Sequence, residues 1–196
     1  MRLRLVVGAL VAATVAVHTP AFAQSQCDAV AGNLVANCGF ETGSFSSWSV
    51  GNATIYDGVT DAAGWVNSGR YGAYFGHVGG TTALAQIVNL VGAGKLSFRI
   101  RNREDGASFF RVDFNPGPNV TPTVLYMETQ NLAYDWKTVN LNVTGSGSDV
   151  LAFTFRHDPS HYSFDDVVLT AVPEPGTYAL MATGLVGLVA VRRRKK

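Results

Sequence analysis

The sequence predicts an all-β chain whose body is one antiparallel β-sandwich. Three observations carry that expectation. Apolar residues recur with period two in short runs, as at Leu96, Phe98 and Ile100, with Ser97, Arg99 and Arg101 on the opposite face. Turn formers separate the runs, as in Asn115-Pro116-Gly117-Pro118-Asn119 and Gly145-Ser146-Gly147-Ser148-Asp149. Residues 24–172 hold no amphipathic stretch of useful helical length. Short strands joined by Gly, Pro and Asn turns favour hairpin pairing over parallel crossovers.

The chain begins with a cationic start, Met1-Arg2-Leu3-Arg4, followed by an apolar run of 13 residues from Leu5 to Val17. Ala21-Phe22-Ala23 then supplies a small-x-small cleavage pattern. Residues 1–23 are therefore expected to be a signal peptide, leaving Gln24 as the new N-terminus. The alternative, an uncleaved first membrane helix, is disfavoured by the short run and the good cleavage site. The chain is expected to cross the inner membrane.

Removing both ends changes the charge. The chain has 15 basic and 14 acidic residues. Without Arg2, Arg4 and the five tail cations 8 basic residues remain, and without Glu174 13 acidic ones, so residues 24–172 carry −5. A mildly acidic domain excludes nucleic acid as a partner, because that needs clustered Lys and Arg to displace counterions. These 149 residues suffice for one sizeable core.

Cys27 and Cys38 are the only cysteines. In an exported chain such a pair reads as a disulfide, and closing so short a loop contributes roughly 2–3 kcal/mol. A redox pair would call for Cys-x-x-Cys spacing, and two cysteines make a poor zinc site.

The stretch Asn33-Leu34-Val35-Ala36-Asn37-Cys38-Gly39-Phe40-Glu41, followed by Gly43 and Trp48, resembles the opening of a galactose-binding-like jelly roll, the fold of many carbohydrate-binding modules. Cys38 stands where that family usually has its first Gly. Phe155-Arg156-His157-Asp158-Pro159-Ser160-His161-Tyr162-Ser163-Phe164-Asp165-Asp166-Val167-Val168-Leu169 resembles the family's last strand. The resemblance implies a jelly roll over residues 24–171, with Phe40 and Trp48 in its core. It also implies a structural Ca2+ between first and last strands, held by Glu41 and Asp165 with Asp166 as an alternative. Backbone carbonyls would complete the 6–8 oxygen ligands that calcium takes. Asp165 shares parity with Val167 and Leu169, which face the core, and an inward carboxylate needs hydrogen bonds or a cation. The other reading is that Glu41 accepts backbone N–H groups while Asp165 pairs with Arg156 or a turn.

Between these ends, further alternation marks Phe110, Val112 and Phe114; Val139, Leu141 and Val143; and Leu151, Phe153 and Phe155 as inward faces. His157 and His161 are spaced like a helical metal pair, but Pro159 between them predicts a loop carrying two exposed histidines. No G-x-S-x-G elbow or phosphate-binding glycine loop occurs. The carboxylates of Glu104, Asp113, Glu128 and Asp135 cannot be set across a cleft from sequence alone.

Sugar rings stack on exposed aromatic faces. Trp65, Tyr71, Tyr74 and Trp136 are the residues expected to bind a ligand, with Tyr126 and Tyr162 also considered. Each weighs against ordinary packing; Trp136, just before a strand, could plug the sandwich end. Tyr71 and Tyr74 stand out because neighbouring Gly69 and Gly72 let the backbone bend.

The last 25 residues close the argument. Val172-Pro173-Glu174-Pro175-Gly176 stops the final strand, because proline lacks an N–H and fixes φ. Residues 177–191 are uncharged, 15 positions against the ~20 that span a bilayer core, and Arg192 to Lys196 follow as five cations. Pro173, Glu174 and Pro175 before a short apolar helix and a basic end resemble the PEP-CTERM sorting signal. That resemblance implies recognition by an exosortase, membrane anchoring before processing, and a destination at the cell surface or in an extracellular, biofilm-type matrix. A plain tail anchor is the simpler alternative. Together these features predict a non-catalytic exported protein that binds extracellular polysaccharide; a matrix scaffold without sugar binding and a polysaccharide-acting enzyme are the competing expectations.

Overall fold

A strand of alternating polarity leaves water only by burying one face, so the alternating runs first pair and then stack. The computed structural model describes residues 24–116, 122–129 and 132–173, with positions 176 and 183. Among these residues the strands in chain order are β1 (Ser49–Gly51), β2 (Asp57–Thr60), β3 (Gly72–Phe75), β4 (Thr82–Val88), β5 (Val91–Asn102), β6 (Ala107–Pro116), β7 (Thr123–Thr129), β8 (Tyr134–Ser146), β9 (Asp149–Asp158) and β10 (Tyr162–Ala171). They form two five-stranded antiparallel sheets, ordered β1-β4-β9-β6-β7 and β2-β3-β10-β5-β8. The fold is the all-β jelly-roll sandwich that the alternation and the terminal motifs predict.

Register puts the predicted apolar positions opposite one another. Leu96 faces Leu141 and Phe98 faces Val139 across β5 and β8. Phe110 faces Phe155 and Val112 faces Phe153 across β6 and β9. The two inner faces then meet through phenylalanines: Phe75 stacks on Phe155 at 4.0 Å, and Phe153 lies 4.8 Å from Phe164. These rings are fully buried, so truncating one of them, as in Phe153→Ala, costs about 3–5 kcal/mol. Phe40 and Trp48 join this core, stacked at 5.9 Å, and the Trp48 indole N–H donates to Asn37 O at 3.1 Å.

The segment before β1 contains no strand but ties the two sheets together. Leu34 N–H donates to Leu169 O and Val167 N–H donates to Cys38 O, both on β10. Gln86 on β4 donates to Ala36 O and accepts from Ala36 N–H. The Cys27–Cys38 disulfide, with Cα atoms 6.0 Å apart, holds this segment closed.

Three sequence expectations are corrected. The parity that turned Asp165 toward the core fails, because β10 bulges between Asp165 and Val168, with Asp166 at φ 51°. Phe164, Val167 and Leu169 face in, while Asp165 lies opposite Arg99 on the outer side, buried there beneath the loop around Asn67 and Ser68. His157 is not on an exposed loop. It continues the inward parity of Phe153 and Phe155 on β9 and is fully buried, and His161 is half-buried. Tyr162 is likewise a core residue, buried beside His157 and Phe155. The expected signal peptide and the apolar segment 177–191 lie outside the described residues, as do Glu174 and Pro175. Among the described residues no helix is long and apolar enough to cross a membrane.

Candidate functional site

An aromatic pocket lies on the outer face of the second sheet, at the end where β10 begins. Tyr74 on β3 sits opposite Ser163 on β10, and Gly58 on β2 sits opposite Tyr74. Trp65 comes from the loop between β2 and β3, and His161 from the turn before β10. Their rings form a triangle of edge contacts: Trp65 to Tyr74 at 5.5 Å, Trp65 to His161 at 5.4 Å, Tyr74 to His161 at 5.8 Å. Tyr56 extends the group, 6.4 Å from His161. Trp65, Tyr74 and His161, with Thr60, line a pocket of about 270 Å³.

Local sequence explains why the rings fit. Tyr74 lies across Gly58, where a Cβ would come within 2.6 Å of the phenol oxygen. A Cβ on Gly76 would collide with the His161 ring. The Arg103 guanidinium carbon sits 3.8 Å from the centroid of the Trp65 ring, close cation–π range. Arg101 and Arg103 also donate to Gly64 O, at 3.0 and 2.7 Å, which anchors the loop carrying Trp65. Burial, joined by the positive charge of Arg103, outweighs the pull of Asp57 and Glu104 and holds His161 below the usual imidazole range. The pocket thus presents polarisable rings and a neutral imidazole, with the Arg103 guanidinium fixed against the Trp65 ring. Such a set suits an uncharged polyol with apolar C–H faces.

Of the residues expected to bind ligand, Trp65 and Tyr74 are brought together. Tyr71 is not. It is half-buried, packs against Gly43 and lies under the Arg70 guanidinium at 5.0 Å. Trp136 lies within β8, at a bulge where Arg101 alone opposes Asp135 and Trp136. That position is three strands along the sheet from Tyr74, roughly 14 Å at ~4.8 Å per strand. Tyr126 instead packs on Phe110 and donates its hydroxyl to Glu128, whose carboxylate also receives Tyr134 and Lys137. Burial first, then Glu128, raises both phenols above the usual range, and this group fastens β7 to β8 between the sheets.

The acidic residues form a second arrangement. Glu41 accepts the N–H groups of Arg70 and Tyr71 at 3.0 to 3.2 Å, beneath Gly69 at φ +72°. Asp165 accepts Asn67 and Ser68 N–H at 2.9 and 3.2 Å. Asp166 accepts the Ser25 hydroxyl, Cys27 N–H, the Ser68 hydroxyl and the Asn67 amide. Every one of these donors is neutral. Burial first, then the Asp166 charge, pushes the Asp165 carboxyl up to about 8. The structure brings Asp165 and Asp166 together under one loop. Glu41 holds the next peptides of that loop, and the three carboxylates do not converge within 4.8 Å of one another.

Residues 171–195 match the model of the PEP-CTERM protein-sorting motif. The chain ends in a PEP-CTERM sorting tail. That tail marks it for export with a C-terminal sorting signal of the membrane-anchored kind. No curated protein matches it in sequence. The body of the chain is similar in fold to a family 61 carbohydrate-binding module in complex with β-1,4-galactotriose: 23% identity, 70% of this chain, 97% of that one, TM-score 0.56. It is similar also to the K1 cleaved adhesin domain of Lys-gingipain from Porphyromonas gingivalis, with 20% identity, 69% and 96% coverage and TM-score 0.54. A third likeness is to the CBM22-1–GH10 modules of Clostridium thermocellum endo-1,4-β-D-xylanase 10B, complexed with xylohexaose: 15% identity, 73% and 29% coverage, TM-score 0.54.

Sequence reasoning missed Tyr56 and Arg103 as neighbours of Trp65, and read His161 as an exposed loop residue rather than part of an aromatic group. A usable signal existed: Gly58 on the adjoining strand and Gly76 just past the end of β3 flank Tyr74, and two bare positions beside an outward tyrosine mark space kept for rings.

Proposed function

We propose that this protein is an exported, non-catalytic polysaccharide-binding module of the cell surface or extracellular matrix, and that the pocket of Trp65, Tyr74 and His161 is its sugar site. The observation that carries this reading is the convergence of three ring systems around a pocket on the outer sheet face, with Arg103 held against one of them. The non-catalytic reading is supported by Asp57, which of the two carboxylates acting on His161 has the larger influence, ahead of Glu104. Both oxygens of Asp57 are engaged, by Thr54, Gly76 and Thr82, so it serves as a strut rather than an acid or base. Trp136, on the same sheet, gives a longer polymer a second contact. Retention in gels containing galactan, xylan or glucan tests the site: Trp65→Ala and Tyr74→Ala should each weaken binding about tenfold, or ~1.4 kcal/mol. Retention unchanged in both variants would remove this pocket from the account.

Exosortase processing follows from the same reading. Recognition of Pro173-Glu174-Pro175 and removal of the tail would free residues 24–172 from the membrane. Comparing the mature mass in cells with and without exosortase tests this step.

A structural role for Ca2+ is proposed at Asp165 and Asp166, without Glu41, whose carboxylate does not converge with theirs. Two adjoining buried carboxylates that meet only neutral donors suit a hard cation, which would supply the missing positive charge.

A further inference from the structure

The two ends of the sandwich differ in charge. Where the chain leaves the domain, the turns are 87–93 and 144–150, and Val172 N–H donates to Ala93 O. Among the described residues at this end, 87–93, 144–150 and 171–173 include one ionisable side chain, Asp149. It is fully buried and accepts the N–H and hydroxyl of Ser146, and Asp113, the cross-strand partner of Val124, is also buried and paired with Arg111. Aliphatic side chains stand out instead: Val91 is 77% exposed, Ile87 70%, Val124 52%, Val172 40% and Val150 37%. Ile87 and Val150 are direct cross-strand partners, and Gly147 N–H donates to Leu90 O, which draws the two turns together. A cleft of about 770 Å³ opens beside them, with Val172 and Lys95 on its wall. The opposite end also exposes Ile55, Val78 and Leu132, but among Arg103, Glu104, Asp105, Arg156 and Asp158.

The sorting tail says what faces the aliphatic end. Only positions 173–176 separate Val172 from the apolar segment 177–191. At ~3.5 Å per residue that spacer reaches at most about 17 Å. We propose that the aliphatic end is a lipid-apposed surface. Ile87, Val91, Val124, Val150 and Val172 rest in the headgroup–acyl boundary of the membrane that holds the tail, with Lys95 positioned to meet anionic headgroups. This rests on the reading of 177–191 as membrane-inserted. Aliphatic side chains with few exposed charges beside them enter that boundary more readily than the charged far end does. Nine residue steps along β10, roughly 30 Å at ~3.3 Å each, separate Ala171 from Tyr162. The contact therefore turns the aromatic pocket outward while the chain is anchored. A few part-exposed aliphatics do not hold a domain on a bilayer by themselves, so the contact ends when the tail is lost.

Fluorescence of the full chain in vesicles tests the proposal. Val91→Cys and, separately, Val78→Cys at the far end are labelled with nitrobenzoxadiazole and mixed with phosphatidylcholine vesicles containing some phosphatidylglycerol and headgroup-proximal quencher lipid. Flotation reports tail insertion. The expected result is flotation of both proteins, with the label at 91 blue-shifted and quenched several-fold more than that at 78. Flotation with equal quenching would overturn the lipid-apposed surface while leaving the inserted tail intact. Failure to float would overturn both.

Discussion

The guanidinium of Arg103 lies 3.8 Å from the centroid of the Trp65 ring while donating to Gly64 O at 2.7 Å. One side chain therefore positions the loop and engages the indole it carries. The pocket is stiffened before any ligand arrives, which lowers the ordering cost of binding. Arg103→Met, which retains an apolar stem but loses both interactions, should weaken polysaccharide retention severalfold and leave the melting temperature within a few degrees. Affinity electrophoresis with a parallel melt checks this.

Gly58 offers a steric test that removes no ring. Gly58→Ala puts a methyl group within 2.6 Å of the Tyr74 oxygen as it now stands, so the phenol must tilt. Binding should fall while the fold persists, because only the free end of one side chain moves. Gel retention beside a far-UV spectrum measures both effects.

How far the sequence revealed all this depends on what alternation records. Leu96, Phe98 and Ile100, or Phe153 and Phe155, declare their faces because hydrophobic burial has a strict period of two in a strand. Asp165 was misread because one extra residue, Asp166, resets the period, and a bulge leaves no mark in polarity. Pro159 suggested a loop too early: the turn begins only after Asp158, so His157 keeps the inward parity of its strand. The aromatic pocket was half visible. Trp65 and Tyr74 stood out by type, but Arg103 and His161 reach them from parts of the chain whose meeting depends on the order β3-β10-β5.

Asp166 joins the segment before β1 to the loop before β3, receiving Ser25 and Cys27 from one and Asn67 and Ser68 from the other. Asp166→Ala strands these donors, so it should cost roughly 2–4 kcal/mol, more than an exposed substitution. Urea denaturation gives the value.

Near neutral pH, stability should respond through Asp165 and, with the opposite sign, through His157 and His161. His157 is buried, with Nδ1 accepting Ser160 N–H and Nε2–H donating to Asn102, and burial holds it below 6.5. Its contribution is complete above 6.5 and is lost as pH falls toward the lowered folded value. Asp165 is raised from 3.8 to about 8, so its contribution is present at low pH and lost as pH rises through about 8. In chelator the melting temperature should therefore fall between pH 6.5 and 8, and Asp165→Asn should abolish that fall and expose the acid-side loss of His157 and His161. A wild-type melt that stays flat above pH 6.5 would contradict the assignment to Asp165.

If calcium neutralises Asp165 and Asp166, adding it at pH 8 should raise the melting temperature by several degrees. Asp165→Asn should lose most of that gain. Equal melts with calcium and with chelator would remove the ion from the account.

The indole N–H resonances of Trp48, Trp65 and Trp136 provide the most direct test of the sugar site. One is in the core, one lines the aromatic pocket, and one lies three strands away. A ¹⁵N-labelled domain titrated with β-linked galacto-, xylo- and gluco-oligosaccharides should show saturable movement of the Trp65 signal with at least one of them, a stationary Trp48 signal, and a Trp136 shift only with the longer chains. Saturable shifts that leave Trp65 untouched, or a spectrum unmoved by the whole panel, would contradict the aromatic pocket as the polysaccharide site.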